Sequence, residues 1–222
     1  MKKYIAELIG TFFLVLTVGC TVIGAKNNVT PPLAIGAALM VMIFAGGHVS
    51  GGHFNPAVTL GVWLRGKCET KDVVPYWIAQ FAAAILAVLA VRVLKAGTPV
   101  VAMQMSLGPA FLAEFLFTFA LVYVVLNAAT SKDTAGNSFY GLAIGFTVAV
   151  GAYAVGSISG AAFNPAVALG ICLMGLASWG VLWVYLVAGA LAAVVAAAIF
   201  RLLNPGDVEQ MEFHMKPKAH AT

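Results

Sequence analysis

The chain has 222 residues, of which 62% are hydrophobic and only 9% are charged, and its formal net charge is +4. Because soluble domains carry about 25% charged residues, a mean hydropathy of +0.98 excludes an ordinary soluble domain and indicates a polytopic membrane protein. The basic residues occur singly or in pairs, which excludes the continuous basic stripe of a nucleic-acid-binding surface.

Six apolar segments along the chain are each long enough to cross a bilayer as a helix. In order, they are predicted at about 4–24, 32–49, 73–95, 109–129, 138–158 and 179–202. The polar tail at 203–222 has too little apolar content to fold by itself. The three cysteines, Cys20, Cys68 and Cys172, match no metal-site spacing, so we expect neither a metal nor a cofactor.

Two shorter apolar stretches interrupt this series, one after the second segment and one after the fifth. Each begins with an Asn-Pro-Ala triplet, at Asn55-Pro56-Ala57 and at Asn164-Pro165-Ala166. Asn is a strong helix N-cap, and Pro suits the first helical position, where no N–H is required. Roughly ten helical residues rise through only about half of a hydrocarbon core of about 30 Å, so we predict two half-helices.

The two Asn residues lie 109 residues apart, about half of the chain, which indicates an internal repeat. Ala-Glu pairs at 6–7 and 113–114 open the two halves, and Tyr76 and Tyr185 are also 109 residues apart. We place repeat one at about 4–95 and repeat two at about 107–202, within a single transmembrane domain at 1–202. Each half holds an odd number of spanning helices, so the second half must be inverted in the membrane.

The distribution of Lys and Arg predicts the orientation in the membrane. With the N-terminus in the cytoplasm, nine basic residues lie inside: Lys2, Lys3, Arg65, Lys67, Lys71, Lys132, Arg201, Lys216 and Lys218. Three lie outside: Lys26, Arg92 and Lys95. We therefore expect both termini in the cytoplasm, and short loops without an organelle address favour a plasma (cell inner) membrane.

In an inverted repeat the half-helices dip into the membrane from opposite sides, and their N-termini meet near the midplane. Extended backbone at that depth must be buried in protein or line a wet cavity. We predict that Gly51, Gly52, His53 and Gly160 supply such backbone, with carbonyl groups that face a pore. Two positive helix ends on the pore axis repel cations, while neutral molecules pass and meet the Asn amide donors.

On these residues the chain resembles the aquaporin (major intrinsic protein) family. The resemblance covers nearly all of residues 4–202 and rests on His53-Phe54-Asn55-Pro56-Ala57-Val58-Thr59, on Phe163-Asn164-Pro165-Ala166 and on the two Ala-Glu pairs. It implies an all-α hourglass fold with six transmembrane helices and two re-entrant half-helices. It also implies a homotetramer in a lipid bilayer, with one pore per subunit for the passive flow of water or small uncharged solutes.

The resemblance places a second constriction, the selectivity filter, at Ile35, Ala152, Ala161 and Val167. The family usually has an arginine where this chain has Val167, and no basic residue lies between Lys132 and Arg201. Such a filter is wide, apolar and uncharged, so it selects less by diameter and by hydrogen-bond donors. We expect water, glycerol, urea, ammonia or neutral metalloid hydroxides to pass, while the exclusion of protons rests on the midplane dipoles.

Several polar residues have more than one possible role. Glu7 and Glu114 are expected to accept backbone N–H groups from the re-entrant loops, with a proton relay as the alternative. Gln80 is expected to hydrogen-bond between helices or to a loop. His48 and His53 either brace the first loop or act as a pH gate, and Tyr153 either narrows the filter or lies at the membrane interface.

A secondary active transporter is the main alternative, because such proteins also use inverted repeats and broken helices. Six spans without ion-coupling acids at the midplane disfavour it. An intramembrane enzyme would need a Ser/His or paired-Asp constellation in the membrane core, which the sequence lacks, so we expect no enzymatic activity. A purely adhesive or structural membrane protein is a minor alternative.

Overall fold

The computed structural model describes residues 1–25 and 30–207, and within these ranges the chain is helical and has no strand. The α-helices there are α1 Lys2–Val22, α2 Pro31–Ser50, α3 Pro56–Leu64, α4 Thr70–Leu94, α5 Leu107–Val125, α6 Tyr140–Ser159, α7 Pro165–Leu173 and α8 Leu182–Leu203. A π-helical turn at Leu126–Thr130 extends α5, and 3-10 turns lie at Lys132–Thr134 and Trp179–Val181.

The predicted set of six spanning helices and two half-helices is confirmed over these residues. Six helices, all except α3 and α7, are long and apolar enough to cross a membrane. When the π-helical turn is counted with α5, their ends lie within three residues of the predicted ends. The basic residues Lys26, Lys216 and Lys218, and the part of the predicted tail that follows Asp207, lie outside the described residues.

One of the contacts between the two repeats is that of α2 with α6. Gly36 of α2 and Gly145 of α6 lie 109 residues apart in sequence, the same offset as the two Asn caps. A Cβ atom on either glycine would lie 2.5 Å from the carbonyl oxygen of the other, so glycine is required for this close backbone approach. Within each repeat the first helix packs on the last spanning helix, α1 on α4 and α5 on α8, as an inverted repeat demands.

Each half-helix begins and ends for local reasons. The starts are Asn caps followed by Pro at the first helical position, at Asn55-Pro56 and Asn164-Pro165. The ends are set by left-handed glycines, Gly66 with φ 80° and Gly175 with φ 79°. The second half-helix ends at Leu173, and the left-handed glycine follows two residues later.

A buried ion pair joins the ends of α3, α5 and α8. The guanidinium of Arg65 is only 1% exposed, and its Nη2 lies 3.1 Å from Asp207 Oδ1. Arg65 also lies over the Phe200 ring at 4.5 Å and donates to the Thr130 carbonyl at 3.3 Å, while Ser131 Oγ donates to Asp207 Oδ2 at 2.9 Å. Burial lowers the pKa of Arg65, and the Asp207 carboxylate opposes that shift.

Removal of Asp207 should destabilise the protein strongly. Asp207→Ala leaves the Arg65 charge buried without its partner, and we expect the free energy of unfolding to fall by about 3–5 kcal/mol. Thermal unfolding in detergent measures this loss. Asp133→Ala, at an exposed acid in the neighbouring turn, is the matched control and should change little. An Asp207→Ala protein as stable as its parent would show that the ion pair does not hold these helix ends.

Candidate functional site: a central pore

Two cavities lie on either side of the half-helix ends. The first cavity, of about 370 Å³, is lined from the start of α2 down to Asn55 and Asn164. The second cavity, of about 410 Å³, is lined by Gly51, Lys67, Asp72 and Thr130, among others. His53 and Val125 line both cavities, so the two spaces adjoin at the level of the half-helix ends.

Asn55 and Asn164 hold the two half-helix ends against each other. Each Oδ1 accepts from the backbone N–H two residues on, at 2.8 Å for Asn55 and 2.9 Å for Asn164. Each Nδ2 crosses to the opposite loop, from Asn55 to Phe163 O and from Asn164 to Phe54 O, both at 2.8 Å. Since an amide nitrogen has two hydrogens, one N–H of each Asn is available to a molecule in the pore.

The Pro and Ala residues of the two triplets are placed differently from the Asn residues. Pro56, Ala57, Pro165 and Ala166 are buried and do not line either of these cavities. Ala57 and Pro165 pack beside Gly189 of α8, where an added Cβ would lie 3.5 Å from Ala57 Cβ. These residues therefore pack the half-helices together. Of the two Asn-Pro-Ala triplets, only the Asn residues line the first cavity.

The backbone before each Asn adopts left-handed conformations. The φ angles are 49° at Phe54, 48° at Phe163, 90° at Gly51 and 83° at Gly160. A non-glycine residue in this region costs of order 1–3 kcal/mol, so the surrounding contacts must hold it there. Of the predicted pore-backbone residues, Gly52, His53 and Gly160 line the first cavity, and Gly51 and His53 line the second.

The carboxylate of Glu7 holds the first of these strained loops. Its Oε1 accepts from Ser50 Oγ at 2.7 Å and from His53 N at 2.9 Å. Its Oε2 accepts from Phe54 N at 2.6 Å and from Gln80 Nε2 at 2.8 Å. Four donors thus surround one fully buried carboxylate, and Glu7 lines neither cavity.

Glu114 holds the second loop in the same way. It accepts from Ser159 Oγ at 2.7 Å, from Ala162 N at 3.0 Å and from Phe163 N at 2.7 Å. Glu114 is also buried, and it does not line either cavity. Both acids are therefore placed to support the loops, and neither is placed to pass protons along these cavities.

Two Ser-Tyr pairs complete the support of the loops, and the serines were not singled out from the sequence. Tyr76 Oη donates to Ser50 O, and Tyr185 Oη donates to Ser159 O, each at 2.6 Å. Ser50 and Ser159 are 109 residues apart, as are the two tyrosines. A residue-by-residue comparison of the two repeats is the signal that could have found them.

The first repeat contains a polar chain that the second repeat lacks. Thr59 Oγ1 donates its one hydrogen to Asn55 O at 3.0 Å, so it accepts from His53 Nδ1 at 3.1 Å and from Gln80 Nε2 at 3.0 Å. Neutral His53 therefore carries its hydrogen on Nδ1 and leaves Nε2, beside Gly51, as an acceptor. The equivalent positions in the second repeat are Ala162, Ala168 and Gly189.

All four predicted filter positions line the first cavity: Ile35, Ala152, Ala161 and Val167. Among the described residues that line it there is no Asp, Glu, Lys or Arg, and the titratable side chains are those of His53 and Tyr185. Tyr153 does not line the cavity, because its side chain is 59% exposed on the surface of α6. Tyr153 therefore lies at the surface and not in the pore.

Three further residues line the first cavity from the α4–α5 connection: Val101, Met103 and Met105. In the sequence this segment lies between two predicted spanning helices. The alternation of Met103 and Met105 with the polar Gln104 and Ser106 was the available signal, since an extended segment points alternate side chains to one side.

A family model described as Major intrinsic protein matches residues 1–200, and it matches again over residues 131–222. The chain belongs to this family. The protein is accordingly a passive transmembrane channel for water and small uncharged solutes and not an enzyme. No finding supports the alternative of a secondary active transporter.

Similar proteins agree with this membership of the major intrinsic protein family. The chain is 36% identical over 217 residues to glycerol uptake facilitator protein-like 6 of Lactiplantibacillus plantarum, across 93% of this chain and 100% of that protein. It is 38% identical over 218 residues to aquaporin NIP1-1 of Oryza sativa subsp. japonica, across 92% and 76% of the two chains. The structure of the aquaglyceroporin from Plasmodium falciparum has the same fold, with a TM-score of 0.79 at 23% identity over 94% of this chain and 98% of that one.

In this major intrinsic protein, Thr59→Val should loosen the first pore loop. Valine keeps the shape but leaves His53 Nδ1 and one Gln80 N–H without an acceptor, at a cost of about 1–3 kcal/mol for each buried group. We expect a lower unfolding temperature in detergent and a lower water permeability in proteoliposomes. Thr59→Ser keeps the hydroxyl and is the matched control. Equal stability of the valine and serine variants would contradict the bracing role.

Proposed function

We propose that this channel conducts small uncharged polyols and amides, such as glycerol and urea, together with water. The proposed filter consists of Ile35, Ala152, Ala161 and Val167. The observation that supports it best is the lack of any charged side chain among the described residues that line the first cavity. The two alanines leave width at this level, and Ile35 and Val167 provide apolar walls.

Such a filter suits a solute that is apolar on one side and polar on the other. The carbon atoms of glycerol can contact apolar side chains, while its hydroxyl groups bind the loop backbone and the free amide hydrogens of Asn55 and Asn164. An ion would lose its hydration without compensation, at a cost of tens of kcal/mol in an apolar medium. The positive ends of two half-helices would repel cations further.

The names of similar proteins support the same proposal. One relative is named a glycerol uptake facilitator protein, and the structural match is an aquaglyceroporin. The filter residues of this chain differ from the usual family pattern at Val167, where a basic side chain is absent. The channel is therefore proposed to select solutes by their size and by their lack of charge.

Proteoliposomes containing the parent protein should swell in glycerol and in urea as well as conduct water. Val167→Arg should lower glycerol and urea flow about tenfold, since roughly 1.4 kcal/mol of added barrier has that effect, and should change water flow less. Val167→Leu adds bulk without charge and is the matched control. Stopped-flow light scattering measures the flow of water, glycerol and urea.

Parent vesicles that pass water but neither glycerol nor urea would contradict the wide filter. Proton flux in the same vesicles, read with a pH-sensitive dye, should stay at the level of empty liposomes if the half-helix ends alone exclude cations. A proton leak that Val167→Arg abolishes would instead show that the filter needs a positive charge.

We also propose that residues 1–202 form a single channel domain that assembles as a homotetramer. Large exposed apolar side chains, such as Phe44, Leu89, Leu142 and Val194, supply surface for lipid or for a neighbouring copy. Native mass spectrometry of the detergent-solubilised protein should find four chains in each particle. A mass of one chain under conditions that preserve channel activity would contradict the assembly.

The proposed orientation has both termini in the cytoplasm of a plasma membrane. Two cysteine variants at exposed positions beside successive loops, Gly108→Cys and Asp133→Cys, test this orientation. They should differ in whether a membrane-impermeant maleimide labels the new thiol in intact cells. Only Gly108→Cys should react before the cells are opened. Burial raises the pKa of Cys68 to about 11, so its contribution as a reactive thiolate is small at neutral pH. The reverse labelling pattern would contradict this orientation.

A further inference from the structure

The connection between α4 and α5 approaches the pore with alternate side chains. Met103 and Met105 are half-buried and line the first cavity, whereas Gln104 between them is exposed and does not. Side chains of an extended segment point alternately to opposite sides. The connection therefore presents two thioethers to the pore and one amide to the surroundings.

Specific contacts fix this segment over the second repeat. Met103 N donates to Leu176 O at 2.9 Å, in the segment that follows α7, and Leu176 also lines the first cavity. Met105 Sδ lies 3.8 Å from Tyr185 Oη, the hydroxyl that donates to Ser159 O. The two methionines are thus held against the same elements that support the second pore loop.

The thioethers also lie next to the proposed filter. A Cβ atom added to Gly160 would lie 4.0 Å from Met103 Sδ and 3.5 Å from Tyr185 Oη. Gly160 directly precedes Ala161, one of the four proposed filter residues. Met103 therefore lies next to the loop that carries the small side chain of Ala161.

We propose that Met103 and Met105 are further specificity-determining residues of this channel. They fill part of the space left by the small side chains at Ala152 and Ala161 and set the largest uncharged solute that reaches Val167. Methionine is unbranched and flexible, so it fills an irregular gap and adapts to the molecule beside it. The resulting size limit is apolar and adjustable, unlike that of a rigid aromatic or guanidinium group. This inference rests on the proposed function for the identity of the solutes.

The test compares the permeability of proteoliposomes to glycerol and to xylitol, a longer polyol. The double variant Met103→Ala with Met105→Ala should raise the ratio of xylitol to glycerol flow about tenfold, as a reduction of roughly 1.4 kcal/mol in the barrier would. The double variant with leucine at both positions keeps apolar bulk and should raise the ratio less. Gln104→Ala is the matched control in the same segment and should leave the ratio unchanged.

The outcomes separate this inference from the proposed function. An unchanged xylitol-to-glycerol ratio in the double alanine variant, with glycerol flow intact, would overturn the inference and leave the proposed function standing. A parent protein that passes only water would overturn the proposed function, and the inference would then require the double alanine variant to gain glycerol flow. Should the alanine variants fail to reconstitute, Met103→Phe must lower glycerol flow more than water flow, and equal effects on both would overturn the inference.

Discussion

The protein depends on keeping two stretches of non-helical backbone satisfied in the middle of a membrane. An unpaired backbone group at that depth costs several kcal/mol, so the loops before Asn55 and Asn164 need partners from elsewhere in the fold. Glu7 and Glu114 accept the loop N–H groups, and the Asn amide nitrogens donate to carbonyl groups across the interface between the repeats. The two loops are thereby fixed as one unit.

This arrangement separates the exclusion of ions from the choice of solute. The positive half-helix ends and the Asn donors are set by capping and by the buried carboxylates, and they do not depend on the filter residues. In the proposed function, the filter positions can therefore be apolar, as Ile35 and Val167 are, without loss of the midplane barrier. A channel built in this way can change its solute range through a few side chains while its pore loops stay the same.

The two repeats have similar backbones but different chemistry around the pore. The first repeat braces its loop with the chain of His53, Thr59 and Gln80, where the second has only alanine or glycine. The second repeat is instead covered by the α4–α5 connection, which brings Met103 and Met105 to the first cavity. The first loop is therefore braced by polar side chains, whereas the second loop is covered by apolar ones.

The sequence by itself determined the spanning helices, the half-helices and their inverted arrangement. These features follow from apolar length, from Asn-Pro caps and from an odd number of spans in each repeat, all of which are local or countable properties. The resemblance to the aquaporin family, carried over by spacing from each Asn, also gave four candidate filter residues, and all four line the first cavity. Such local patterns are reliable because the spacing of residues along one helix fixes their positions relative to one another.

Only the tertiary structure decided which distant side chains meet. Arg65 and Asp207 lie far apart in sequence, and no local pattern pairs them. The surface position of Tyr153, the role of Thr59 between His53 and Gln80, and the approach of Met103 to Gly160 likewise depend on how each helix is rotated about its axis. That rotation is set by packing against other helices, such as the contact of Gly36 with Gly145, and a sequence pattern within one helix does not contain it.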